Sequence, residues 1–237
     1  MPLSAPLFSS AAEPSALVLA SASPRRRELL ASLGIDFSVV PSQVPEILQP
    51  GESPRQHVMR LSREKALEVA GRENVPGRWF LGSDTVVVCD DAILGKPGDT
   101  EEAAAMLRSL AGRDHQVFSG YAVFDRDSEQ LAVDAVATRV RFKALTEQEI
   151  AGYIATGEPF GKAGSYAIQG IGAFMIPAIE GSYSNVVGLP LCEVVSTLER
   201  FGALRLLASQ TTKAEYEPPV KPRSAPSPLS GSDHEPS

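Results

Sequence analysis

The sequence predicts an α/β protein built on a mixed, twisted sheet with flanking helices. Three observations predict it: strand-like and helix-like segments alternate along the chain, two strand pairs are joined by hairpin-type turns, and most helical stretches carry their own start or stop signals. Hairpins make antiparallel neighbours, so the sheet is mixed and not purely parallel.

Taken in order, "ALVLAS" (16–21) is a short buried strand, and "PRRRELLASLG" is a helix with Pro24 at its start, Leu29, Leu30 and Leu33 on one face and Gly34 as a stop. "FSVVPS" is a second strand. From Ser53, "SPRQHVMRLSREKALEVAG" places Val58, Leu61, Ala66 and Val69 near helical spacing, with Ser53 as the cap, Pro54 after it and Gly71 at the end. "WFLGSDTVVVCDDAILGKPGD" reads as strand, tight turn at Asp90-Asp91, and strand. A helix follows in "DTEEAAAMLRSLAG", its first turn acidic and Gly112 after it. "HQVFSGYAVFD" and "QLAVDAVATRVRFKA" form a longer hairpin turning near Asp127-Ser128. "TEQEIAGYIATG" opens with a capping box, Thr146 and Glu149. "GSYAIQGIGAFMIPAIEG" is expected to be β-rich, and "PLCEVVSTLERFGALRLLAS" to close the fold as a helix. Residues 1–15 are small and unpatterned and residues 210–237 are rich in Pro, Ser and charge; both are expected to be disordered, leaving 16–209 as the single domain.

At 237 residues and 43% hydrophobic, the chain is long enough to bury a sizeable core. Its net charge of -7 argues against duplex nucleic acid as a partner, which needs a basic face spread over many phosphates. Any anion it binds must therefore meet a local cluster of positive charge. Cys89 and Cys192 lie far apart in apolar surroundings, and His57, His115 and His234 share no metal-ligand spacing, so neither a disulfide framework nor a zinc site is expected. With no membrane span and no secretory signal pattern, the expected location is the cytoplasm. Phosphate-loop, dinucleotide, nucleophile-elbow and H-E-x-x-H motifs are all missing from the sequence, which removes support for a kinase or a hydride-transfer enzyme.

What remains is a set of polar residues in turns or beside strand ends: Ser21, Ser23, Arg25 and Arg26; Glu46; Ser83, Asp84 and Thr85; Lys96; and Lys162 with Gln169. A strand that delivers "SASPRR" into a helix N-terminus offers unpaired N–H groups, hydroxyls and guanidiniums in one place, which is how phosphate sites are assembled. Positive charge on a first helical turn opposes the helix dipole, so Arg25 and Arg26 point to a bound anion, whereas Arg27 fits a solvated position. Asp84 reads equally as a hydrogen-bonding strand-end residue and as a metal ligand or general base. Singly, Lys96, Glu46 and Lys65 fit ordinary solvated positions, Lys65 on a helix where charges recur every few residues.

Together, "LASASPRRRELLASLGIDF", Pro45-Glu46, "LSREKA", "GSDTVVV", "LGKPGD", "GKAGSYAIQGIGAFMI" and "IEGSYSNVVGLPL" resemble the Maf (septum formation inhibitor-like) nucleoside triphosphate pyrophosphatases, from about Ala16 to Ser209 and in the same order. The resemblance implies hydrolysis of a nucleoside triphosphate between its α- and β-phosphates with Mg²⁺, or with Mn²⁺ or Co²⁺. It also implies a fold similar to the inosine triphosphate pyrophosphatases, two lobes around a central cleft, in a protein that is often a homodimer. Carried over, the family's serine-arginine motif falls on Ser21, Arg25 and Arg26, its acidic residue on Glu46, its helix lysine on Lys65, its catalytic aspartate on Asp84 and its loop lysine on Lys96. Its specificity positions fall on Arg25, Thr85 and Gln169, and "AGSYAIQG" is similar to the subgroup acting on dTTP and UTP rather than that acting on 7-methyl-GTP. An amide at Gln169 suits the O4 and N3–H edge shared by thymine and uracil, because it both donates and accepts. In the scheme this implies, Glu46 and Asp84 hold the cation, Asp84 takes a proton from the attacking water, and Arg25, Arg26, Lys65 and Lys96 offset phosphate charge. The alternative is a nucleotide-sensing regulator of cell division acting through a protein partner.

Overall fold

The computed structural model describes residues 8–10 and 16–206. Its main sheet has seven strands: β2 (Leu17–Leu19), β3 (Ser38–Val39), β4 (Trp79–Cys89), β5 (Ala92–Leu94), β6 (Asp114–Asp125), β7 (Gln130–Arg141) and β8 (Ala178–Glu180). The order is β3-β2-β4-β6-β7-β8, with β5 on β4; β2 runs parallel to β3 and β4, and the other pairings are antiparallel. The mixed sheet expected from the hairpins is present. Asp90 and Asp91, with φ of 47° and 64°, make the two-residue turn between β4 and β5, a conformation that Asp tolerates better than most residues.

Strand β1 (Phe8–Ser10) pairs with β9 (Leu204–Leu206) as a separate ribbon, inside a stretch read as unpatterned. The remainder of residues 1–15, and residues 207–237 with the expected tail, lie outside the described residues. Among the described residues no helix is long and apolar enough to cross a membrane.

The helices are α1 (Pro24–Ser32), α2 (Pro54–Ala70), α3 (Thr100–Leu110), α4 (Glu147–Ala155), α5 (Tyr183–Val187) and α6 (Leu191–Arg200). Their ends follow the local signals: Ser53 with Gln56, and Thr146 with Glu149, form capping boxes, and Asp99 caps α3. Two expectations fail. The stretch read as β-rich folds into 3₁₀ turns at Ala163–Ser165 and Gly170–Met175, with strand only in β8, because Gly164, Ser165 and Gly170 take positive φ and break any extended run. The closing helix stops at Arg200, where Gly202 at φ 69° turns the chain and the apolar residues beyond it become β9. The short α5, capped by Ser182, lies in a stretch to which the sequence assigns no element.

The long strand β4 is buried almost throughout, and its two faces do different things. Alternation sends Trp79 and Leu81 into one apolar cluster with Leu19, Leu30, Val194 and Leu198, and Val87 and Cys89 on the same face into another with Leu107, Leu110, Phe142 and Ile150. Between the clusters that face carries Ser83, Thr85 and, from β6, Ser119. A polar belt thus divides two apolar cores. The opposite face, with Phe80, Val86 and Val88, lies under α2.

Candidate active site

Strand β2 pairs with β4 only as far as Leu81, and β5 joins β4 only from Val87, so residues 82–86 have no strand on that edge. The arginine motif fills this gap. Ser23 caps α1 by accepting the N–H of Arg26 at 3.4 Å, and the buried Arg26 guanidinium reaches back across the bare edge. Its Nε donates to the Gly188 carbonyl at 2.8 Å, its Nη1 to Ser21 Oγ at 3.1 Å and the Ser83 carbonyl at 2.8 Å, and its Nη2 to Thr85 Oγ1 at 2.9 Å. Four of the five guanidinium N–H groups are thereby used within the protein. The helix N-terminus is likewise mostly satisfied: Pro24 has no N–H, and Ser23 takes those of Arg26 and Arg27. Arg26 is thus a strut before it is an anion ligand.

On the other face of β4, Asp84 points toward α2. The buried stripe of that helix contains Val58, Leu61, Ser62, Lys65, Ala66 and Val69, so Lys65 belongs to the packed face and not the solvated one. Lys65 Nζ donates to Asp84 Oδ1 and to Glu46 Oε1, both at 2.7 Å, and Lys96 Nζ donates to Glu46 Oε2 at 2.6 Å. Charges alternate along this chain, and its inner members are buried: Lys65 is 6% exposed and Asp84 5%. Two glycines allow the helix to lie this close, since a Cβ at Gly82 would stand 2.1 Å from the Ser62 carbonyl oxygen and one at Gly120 2.3 Å from that of Val58. The loop carrying Glu46 is tied to the same helix, with Arg60 donating to the Ile47 carbonyl at 2.9 Å and to the buried carboxylate of Glu52.

Burial alone would raise the Glu46 carboxyl, but hydrogen bonds and charge from Lys65 and Lys96 outweigh it and hold the group at about 2, below its ordinary 4.5. A depressed carboxylate stabilises the fold fully above its ordinary value and loses that contribution as pH falls through 4.5 towards 2. Glu46→Gln is therefore expected to lower the melting temperature at neutral pH, and the gap from the unmodified protein should narrow steadily as the pH falls from about 6 to about 3. A gap of the same size at both ends of that range would mean that the lysines do not hold Glu46 as described.

Both networks open into one cleft of about 360 Å³. The residues carried over from the family resemblance line it, namely Ser21, Arg25, Arg26, Glu46, Lys65, Asp84, Thr85, Lys96 and Gln169, whereas Ser83 of the wider candidate set does not. With Lys162, five cationic side chains face two carboxylates, a local excess of three positive charges in a protein of net charge -7. Such a field concentrates polyanions at this one place. Arg25 makes no side-chain hydrogen bond among the described residues, and burial, followed by smaller opposing effects of Glu28 and Tyr153, leaves it below its ordinary value. Lys162 is lowered by burial and by the Arg25 charge. Gln169 is half-buried, and its amide makes no hydrogen bond among the described residues. Thr85, in contrast, is committed, its hydroxyl bonded to Arg26 and Ser119.

Sequence reasoning missed Gly188, whose carbonyl gathers Arg26, Ser83 and Thr85, and Tyr166, which lines the cleft and meets the buried His115 at 2.7 Å. The Gly188 position, at φ 128° beyond a Ser-capped turn, carried a signal for chain reversal but none for its carbonyl contacts. Burial pulls His115 down to about 4, so it faces Tyr166 as a neutral ring.

A family model described as "Maf-like protein" matches residues 16–201. The chain is 66% identical to the dTTP/UTP pyrophosphatase of Syntrophotalea carbinolica over 87% of this chain and 94% of that protein. It is 56% identical to the dTTP/UTP pyrophosphatase of Geobacter sulfurreducens, covering 79% and 97%, and 52% identical to that of Myxococcus xanthus, covering 81% and 95%. A crystal structure titled nucleoside-triphosphatase / dITP/XTP pyrophosphatase, from Mycobacterium abscessus, aligns at TM-score 0.37 and 15% identity over 78% of this chain and 95% of that one, a likeness too slight to bear on fold or activity. With the family match spanning nearly the whole described domain and close relatives covered almost end to end, this chain belongs to the Maf-like protein family.

Proposed function

We propose that the protein hydrolyses dTTP and UTP between the α- and β-phosphates, releasing the monophosphate and pyrophosphate. The observation that carries this reading is the convergence of Asp84 and Glu46 with five cationic side chains in one cleft of an acidic protein. The preference for thymine and uracil nucleotides is drawn from the relatives, each named a dTTP/UTP pyrophosphatase.

In this reading Lys65 orients Asp84 through Oδ1, leaving Oδ2, which has no hydrogen bond among the described residues, to take the proton of the attacking water. Arg25, Lys96 and Lys162 face the phosphates directly, while Arg26 contributes a fixed charge and keeps Ser21 and Thr85 in place. The donor set suits a divalent cation. Among the described residues no three His, Cys, Asp or Glu side chains converge, but two hard carboxylates share the cleft, and Mg²⁺ is commonly held by one or two carboxylates together with substrate phosphates. Glu46 and Asp84 would hold Mg²⁺, or Mn²⁺ or Co²⁺, which when bound neutralises charge on the phosphate oxygens. Lys96, which bonds one Glu46 oxygen in the free protein, would be released toward phosphate if Glu46 held the ion, while Lys65 keeps its bond to Asp84. The reading places the protein in the cytoplasm with free nucleotides, and holds for a monomer or a homodimer, since every residue named lines one cleft of one chain.

The test is pyrophosphate release with Mg²⁺ from dTTP, UTP, CTP, dATP, GTP and 7-methyl-GTP. Selective release from dTTP and UTP supports the reading; no release from any of them by folded, nucleotide-binding protein overturns it. Gln169→Ala is expected to reduce kcat/KM for dTTP and UTP roughly 10- to 100-fold, the effect of an unmade hydrogen bond in a desolvated site, and to affect CTP much less.

A further inference from the structure

Gln169 stands at the N-cap position of the Gly170–Met175 turn, yet its side chain makes no capping bond. The first N–H groups of a helical turn have no partner within it, and a side-chain oxygen beside them is drawn to them. Here those groups are already taken by a residue far back in the chain. The Ile171 N–H donates to Glu158 Oε2 at 3.0 Å and the Gly172 N–H to Glu158 Oε1 at 2.8 Å. Tyr153 completes the arrangement: its hydroxyl donates to Glu158 Oε1 at 2.9 Å and accepts the Ala167 N–H at 3.2 Å. Residues 167–172 are thus tied at both ends to one Tyr-Glu pair, with Gln169 between the ties.

Two glycines of the turn serve this contact. A Cβ at Gly170, where φ is 72°, would fall 2.5 Å from Glu158 Oε2, and one at Gly172 would fall 2.4 Å from the Ala167 carbonyl oxygen and 2.7 Å from Tyr153 Oη. Burial works to raise the Glu158 carboxyl, but the two N–H groups and the Tyr153 hydroxyl hold it below its ordinary value, as a charged acceptor. The base-recognition reading of Gln169 does not by itself require any of this.

We propose that Glu158 is a positioning residue for base selection: by capping the Gly170–Met175 turn from outside, with Tyr153, it leaves the Gln169 amide free to face the cleft and read the pyrimidine. The inference rests on the reading of Gln169 given above. The Glu158 carboxylate touches neither the phosphates nor the reacting atoms in this scheme; it is the Glu158 backbone carbonyl that accepts from Lys162, and Glu158→Gln keeps that carbonyl. Without its carboxylate, the turn's N–H groups compete for the Gln169 amide oxygen, and the base loses its partner.

The experiment measures equilibrium binding of dTTP and CTP in EDTA, where there is no turnover, beside pyrophosphate release with Mg²⁺, for the intact protein, Glu158→Gln, Gln169→Ala and the double variant. Glu158→Gln places an amide NH₂ where an acceptor is needed, and is expected to lower the preference for dTTP over CTP about ten-fold while CTP binding changes less than about three-fold. Because Glu158 acts through Gln169, the double variant should show the same preference as Gln169→Ala alone. If Glu158→Gln fails to fold, Tyr153→Phe removes one of the two ties and should lower the same preference by a smaller factor. Equal losses for both nucleotides, an unchanged preference, or additive effects in the double variant would each overturn the proposal, as would an intact protein that binds the two nucleotides equally. A binding preference without pyrophosphate release would overturn the hydrolytic reading instead, and binding by the variants would still decide the role of Glu158.

Discussion

Replacing Asp84 with Asn is expected to reduce pyrophosphate release from dTTP by about 10²- to 10⁴-fold, the usual contribution of a positioned general base. The substitution is nearly isosteric, and the amide oxygen can still accept from Lys65, whose second partner, Glu46, is untouched. Packing beneath α2 should therefore survive, and nucleotide binding with it. What disappears is the second carboxylate oxygen, the Asp84 side-chain oxygen without a partner among the described residues and the one available to take a proton. The comparison to make is kcat against dTTP affinity and melting temperature. A variant within about ten-fold of full turnover would remove Asp84 from the role of base. A collapse of turnover accompanied by loss of the fold would instead identify Asp84 as a partner for Lys65 and nothing more, since breaking a buried ion pair strands the remaining charge.

The largest effect on stability is expected at Gly82. Its missing side chain is what allows α2 to rest on β4, because a Cβ there would stand 2.1 Å from the Ser62 carbonyl oxygen and 2.7 Å from the Ala66 nitrogen. Both are backbone atoms of a buried helix and cannot rotate away. Gly82→Ala is expected to cost about 3 kcal/mol by chemical denaturation, the upper end of what overpacking usually does. It should also lower turnover, because the helix that must move carries Lys65, three residues beyond Ser62, and with it the 2.7 Å contact to Asp84. Gly152 is the control. Nothing lies within 4 Å of a Cβ placed there, and it sits inside α4, so Gly152→Ala should leave activity alone and raise stability by roughly 0.5 to 1 kcal/mol. A loss below about 1 kcal/mol at Gly82 with full activity would mean that α2 is not seated against the strand as described.

Much of the fold was legible because its signals are local. The Ser53 and Thr146 caps, the Asp90-Asp91 turn and the β6-β7 hairpin each depend on residues a few positions apart, and each formed where it was expected. The 163–175 stretch was misread for the converse reason. Its apolar and β-prone residues suggest strand, but its N–H groups are claimed by Glu158 and Tyr153, and no spacing within the segment reveals that. Likewise the apolar run after Gly202 is periodic enough for a helix, and becomes a strand only because β1 pairs with it.

The candidate site divides along the same line. Sequence alone determined which side chains were available and that they had to act as a local cluster, since an acidic chain can bind a polyanion only where its cations gather. Tertiary structure decided what each one does. Arg26, which reads as a phosphate ligand, spends most of its donors on Gly188, Ser83, Ser21 and Thr85. Lys65, which reads as a solvated helix residue, is buried between two carboxylates, each 19 residues away in sequence. Thr85 is engaged, whereas the Gln169 amide has no partner among the described residues. The role of a charged or polar group is set by the partners that share its desolvated surroundings, and in a folded chain those partners come from distant segments whose meeting local spacing does not encode.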